Sequence, residues 1–180
     1  MSAVKNTPTN RNFLSPNNFR LVLQRAPMLN YFLQTASIPG LTFVGSVDWQ
    51  TPFLKVPLPG DHLNYSPLSV SFMVDEDLSN YMEIWNWIFN IAGPQSITPG
   101  EPGKKYSVDN KLTTDPMASI RSDIKLMVMT SSKNPNIEVT FKDAFPISLG
   151  ELNFVTTASD VAYLESSVTF EYLNYTINRI

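Results

Sequence analysis

The chain has no cysteine and only one histidine in 180 residues. The first absence removes disulfides, thiolate chemistry and cysteine-ligated zinc. The second leaves His62, in a turn beside Gly60 and Asp61, as the only base for a Ser-His-Asp site, and no Gly-x-Ser-x-Gly elbow accompanies it. The seven glycines are scattered and never spell Gly-x-Gly-x-x-Gly, so a phosphate-cradling loop is missing. Acidic residues cluster once, at Asp75-Glu76-Asp77, where the start of a helix accounts for them without a metal. Ser122-Asp-Ile-Lys125 reads Ser-x-x-Lys, but positions i and i+3 of a strand face opposite ways. The expectation is a protein that is not an enzyme, with no catalytic residues, no metal and no cofactor.

Charge is also sparse. Thirteen basic and sixteen acidic residues leave a net charge of −3, which disfavours non-specific nucleic-acid binding. No long hydrophobic run exists: Glu83, Asn86 and Asn90 interrupt the most apolar helix, so no membrane span is expected. The stretch Met1–Asn12 lacks the apolar core of a signal peptide, which predicts synthesis in the cytoplasm of the producing cell.

What the chain does have is strand pattern. Leu68, Val70, Phe72 and Val74 alternate, and then the period changes. Leu78, Tyr81, Met82, Trp85, Ile88 and Phe89 follow helical spacing and predict one amphipathic helix with Trp85 in the core, Trp87 undecided, and a stop at Gly93-Pro94. Strands are expected at Phe19–Arg25, Tyr31–Ile38, Asp123–Met129, Asn136–Lys142, Glu151–Thr157 and Ser166–Tyr175, with a turn at Phe145–Gly150. The fold class is therefore mainly β with one α-helix, an antiparallel sandwich or barrel. Residues 1–18 read as an N-terminal arm, 19–177 as one domain, and 93–119, rich in proline and glycine, as a long loop insertion.

Gly45–Gly60 is apolar yet broken by Pro52, Pro57 and Pro59, which excludes a central strand. It reads as a hairpin that either folds over its own core or finds a partner on another subunit. On the second reading Trp49, Phe53, Leu54, Val56 and Leu58 carry assembly contacts, together with Lys104, Lys105 and Tyr106 of the long loop.

The order of these features resembles the tail tube proteins of T4-like contractile-tailed bacteriophages. The resemblance runs over about residues 18–175: Phe19–Arg25, the Ser37-Ile-Pro-Gly40 turn, Pro59-Gly60-Asp61, strand and helix through Trp85-x-Trp87, then Phe141–Leu152 and Val168–Tyr172. It departs from the family in Pro94–Met117 and in the arm. It implies a protruding hairpin, a homo-hexameric ring whose sheets form one barrel around a pore, and stacked rings bordered by sheath, baseplate or neck proteins in the virion tail. DNA would pass the pore without being held, and Ser69, Ser71, Glu138, Thr140, Thr169 and Glu171 suit such a lining. A specialised single ring of the same fold (tube initiator, terminator or completion protein) and a β-sandwich glycan-binding module are the alternatives.

Overall fold

The computed structural model describes residues 12–45, 47–50, 52–92, 120–156 and 163–180. In chain order its elements are β1 (Phe19–Leu23), α1 (Pro27–Tyr31), β2 (Leu33–Ala36), β3 (Leu41–Val44), β4 (Val47–Gln50), β5 (Lys55–Leu58), β6 (His62–Tyr65), β7 (Leu68–Met73), α2 (Ser79–Ala92), β8 (Ser122–Met129), β9 (Pro135–Leu149), β10 (Glu165–Glu171) and β11 (Asn174–Arg179). The mainly β, antiparallel architecture follows the sequence pattern.

One strand organises the body. β9 is 15 residues long. Its first part pairs with β8 on one side and β11 on the other, and β1 adds to β8. Its last part, Phe145–Leu149, pairs with β10, which continues to β7 and β2. The change of partner falls at a bulge. Between Ile124↔Phe141 and Ser122↔Ala144 the β9 side holds one extra residue, and Asp143 takes a left-handed φ of 55°. The Asp123 carboxylate accepts the Asp143 N–H at 3.1 Å and holds the bend.

The inner faces of the two sheet halves share one core with α2. Phe72, Phe141 and Phe170 are its largest fully buried side chains, with Leu21, Ile84, Leu126 and Val168 around them. The one fully buried side-chain amide among the described residues, Asn80, is satisfied: it donates to the Met73 carbonyl at 2.8 Å and accepts from the Asp75 N–H at 3.3 Å.

Several expectations change. The buried face of α2 is Asn80, Ile84 and Trp87, with Ile88 and Ile91 partly covered, while Met82, Trp85 and Phe89 point outward. Trp87 is 3% exposed and donates its indole N–H to the Ile120 carbonyl at 2.7 Å; Trp85 is 48% exposed. Apolar residues occur all round this helix, so two stripes satisfy the same period and periodicity cannot choose between them. Leu78 lies outside the helix, in a left-handed conformation (φ 58°), and its carbonyl accepts the Met82 N–H. The acidic triplet stands just ahead of the helix, as expected; Asp75 closes a local turn by accepting the Asp77 N–H.

Pro27 begins a helical turn, α1, so the second strand starts only at Leu33. Phe145–Leu149 is strand, not turn. Pro146 is tolerated there because, among the described residues, that half of β9 bonds to β10 on one side alone. Residues 151–155 form no strand, and the last expected strand is two, β10 and β11, turning at Tyr172–Leu173. The sheet extends past residue 177, to Arg179.

Candidate assembly surfaces

Two surfaces stand out, a ribbon and a sheet face. The ribbon is built from β3 paired with β6 and, beyond a kink, β4 paired with β5. The kink is made by two glycines. Gly45 adopts φ +96°, and a Cβ on Gly60 would stand 2.4 Å from the Gly45 carbonyl oxygen, so only glycine permits the crossing of backbones. Pro57 lies opposite Asp48 in a two-stranded ribbon, where its missing N–H interrupts no central ladder. Trp49 and Val56 face each other across the ribbon, and Asp48 and Lys55 form an ion pair at 3.3 Å.

The ribbon does not fold over its own core. Trp49 (63% exposed), Phe53 (96%), Leu54, Val56 and Leu58 all stand in solvent, as do Phe43 and Leu63 lower down. The sequence reading thus brings these five hairpin residues together on one element. Lys104, Lys105 and Tyr106 lie outside the described residues.

An aromatic cluster fixes the base of the ribbon. Tyr65 of β6 packs edge-on against Tyr172 and Tyr175, which also pack on Phe141 of the core. The Tyr172 hydroxyl donates to the Ser66 carbonyl at 2.7 Å and the Tyr175 hydroxyl to the Pro39 carbonyl at 3.2 Å, one bond to each leg of the ribbon. Burial, aided by the neighbouring Tyr175 and Tyr65 phenols, pushes the Tyr172 hydroxyl up to about 12. Beside this base lies a cleft of about 370 Å³ containing Arg121, Asp143 and Glu171, with the Arg121 guanidinium 5.8 Å from the centre of the Phe145 ring.

The sheet face belongs to β2, β7, β10 and the Phe145–Leu149 part of β9. Direct partners place Thr35 beside Ser71, Ser71 beside Ser167, Ser69 beside Thr169, and Thr169 beside Ser148. All point away from the core, and Thr35 and Ser71 share a hydroxyl–hydroxyl bond of 2.5 Å. Glu165 and Glu171 mark the two ends of β10, and none of these segments contains a lysine or arginine. The strands of this face thus carry hydroxyls and only negative charge, and the Arg121 guanidinium stands at its Glu171 end, over the Phe145 ring. Sequence reasoning found four members of the face, Ser69, Ser71, Thr169 and Glu171. It missed Thr35 and Ser148, which lie beside bulges that break strict alternation, and Ser167, which the period-two pattern of Thr169 and Glu171 already places on this face.

Glu138 and Thr140 do not join that face. They sit on the other sheet half, where the Glu138 carboxylate accepts from Lys125 Nζ at 3.2 Å and from the Thr140 hydroxyl at 3.1 Å. His62 is exposed, and its ring meets the Asp61 carboxylate beside it. Among the described residues, no three His, Cys, Asp or Glu side chains converge on a common metal position, and no helix is long and apolar enough to cross a membrane.

A model of the phage tail tube protein family matches residues 6–178. The chain belongs to that family. No curated protein sequence matches it. Among solved structures this tail tube family member is similar to the tube-terminating cap of the anti-feeding prophage, with 14% identity, a TM-score of 0.60 and full coverage of both chains. It is also similar to a chain of the sheath–tube complex of the PVC extracellular contractile injection system, with 13% identity, a TM-score of 0.59 and 94% of each chain covered. The sheath/tube terminator of that system gives 12% identity and a TM-score of 0.59 over 94% of this chain and 99% of the other. At such identities the likeness is one of fold, and the tail tube fold is what these chains share.

Proposed function

We propose that six copies of this protein form a ring of a phage-type contractile tail, with the hydroxyl face lining a pore through which DNA is ejected. One observation carries the reading. The four-stranded half-sheet that bears this face ends in open ladders on both sides: among the described residues, β2 pairs only with β7 and Phe145–Leu149 only with β10. Open edges of this kind invite pairing with another chain, and ring closure removes them. An even number of alternating strands per copy keeps the ladder antiparallel across each joint. The face then lines the channel, where hydroxyls and a few carboxylates bind water and do not retain phosphate.

Rings stack through the ribbon, a head-to-tail contact that repeats instead of closing. The particle is the tail, and the neighbours are sheath, baseplate or neck proteins. The work is mechanical and electrostatic, with no reaction catalysed. Electron microscopy of the purified protein tests the reading: annular particles with a central hole are expected, and a compact monomer at high concentration by light scattering would sink it. Likeness to a terminating cap as well as to a tube complex supports a second reading, a single ring that ends or starts a tube. Assembly length separates them, since a repeating subunit makes long tubes and a cap stops at one layer.

A further inference from the structure

We infer that the ribbon tip of one copy docks on the outward stripe of α2, Met82, Trp85 and Phe89, in the copy of the next ring. The inference rests on the ring-stacking reading and names the receiving surface that reading leaves open.

The two surfaces lie at opposite ends of the body. The ribbon leaves where the Tyr172 hydroxyl holds Ser66, next to the Leu68↔Phe170 pair. Helix α2 begins at the other end, where Asn80 holds the Met73 carbonyl next to the Glu165↔Met73 pair. Head-to-tail stacking therefore carries each ribbon towards the end of its neighbour where α2 starts, and Met82 is the first residue of the stripe.

Length decides how far it reaches. Two paired segments of four residues each, a kink and a tip make a ribbon roughly 30 Å long. The wall built by β7 and β10 is six or seven residues tall, roughly 20 Å. A ribbon longer than its neighbour's wall must overlap that wall. Overlap on the hydroxyl face would block the channel, so it falls on the far side of the sheet. That side is covered by α2 and by the other sheet half; of the two, α2, whose Trp87 packs 5.9 Å from Phe170 on the inner face, carries the exposed aromatic stripe. The outward side of α2 is apolar where it has no need to be: Met82 is 52% exposed, and Trp85 and Phe89 stack at 5.0 Å with 12° between their planes.

Area points the same way. Trp49, Phe53, Leu54, Phe43 and Leu63 with their ribbon neighbours expose on the order of 800 Å² of apolar surface, the share one partner gives to a standard specific interface. Monomers seldom leave that much uncovered. Met28 and Tyr31 of α1, also exposed, extend the receiver beside α2, to which α1 is tied by the bond from the Met28 N–H to the Glu83 carboxylate at 3.1 Å.

The absence of cysteine makes the test clean. Phe53→Cys and Trp85→Cys are made as separate proteins, checked by circular dichroism, mixed under assembly conditions and oxidised mildly. Docking predicts covalent dimers in the mixture at about tenfold or more over a mixture of Phe53→Cys with Thr169→Cys, whose thiol sits on the hydroxyl face, because contact raises the local thiol concentration. Leu54→Cys with Met82→Cys reads the same contact should the first pair misfold. Stacked rings in the microscope without that excess overturn the inference and leave the stripe to a different protein. Failure of the unmodified protein to stack overturns the ring-stacking reading first.

Discussion

At the scale of single residues, the two helix tryptophans give the sharpest contrast. Trp87→Ala removes a buried indole and its bond to Ile120, and should cost about 3–5 kcal/mol. Trp85→Ala touches no core contact and should change stability by about 0.5 kcal/mol or less. Thermal melting of the two variants checks this, and reversed magnitudes would contradict the described face of α2. Their sequence spacing could not give this answer, since Trp85 and Trp87 both fall on helical apolar stripes and only the body decides which stripe is covered. Tyr172 makes a pH prediction. Its pKa rises from 10.0 unfolded to about 12 folded, so the neutral phenol is favoured in the native state. The stability it contributes is complete below pH 10 and is lost as pH climbs through 12. Tyr172→Phe should flatten that alkaline loss, followed by chemical denaturation at pH 9 and pH 11.5, while also removing the bond to Ser66.

At the scale of elements, the ribbon and the body should behave as separable pieces. Among the described residues, deleting 51–58 removes no buried core side chain, so the variant should keep its circular dichroism spectrum and melting point and lose only the ability to stack. Tubes of normal length from that variant would remove the ribbon from the assembly contacts. Gly60→Ala is subtler. The added methyl meets the Gly45 backbone and should cost about 1–3 kcal/mol of local strain. Faster amide exchange across β4 and β5, with β7 to β10 unchanged, is the expected signature. Much of this scale could be read in the sequence, because period-two runs such as Leu68–Val74 and Ile137–Phe141 and the proline-marked hairpin are local signals. Bulges are not: the extra residue at Asp143 makes sense only once both partners of β9 are known, and so the sequence pattern ends the strand at Lys142 and predicts a turn at Phe145–Gly150. That misplaced turn also hid Ser148 from the hydroxyl face.

For the whole molecule, the family was visible in the order of its parts, whereas the separation of Glu138 and Thr140 from the other lining candidates needed the strand pairing. The electrostatic reading of the channel is testable in assembled rings. Ser69→Lys and Ser167→Lys place cations on a face whose strands carry none, and DNA should then be retained, with a salt slope steepening by about 0.9 for each phosphate contacted. Retention by the unmodified assembly at moderate salt would argue against a channel lined by this face. The continuity of β9 has a mechanical consequence. Because one unbroken backbone belongs to both sheet halves, a pull on either half reaches the other through covalent bonds before any side-chain contact is loaded. The two layers cannot slide past each other along that seam, so a particle built from such units should transmit axial thrust as a stiff rod, yielding at its joints between copies before it yields within one.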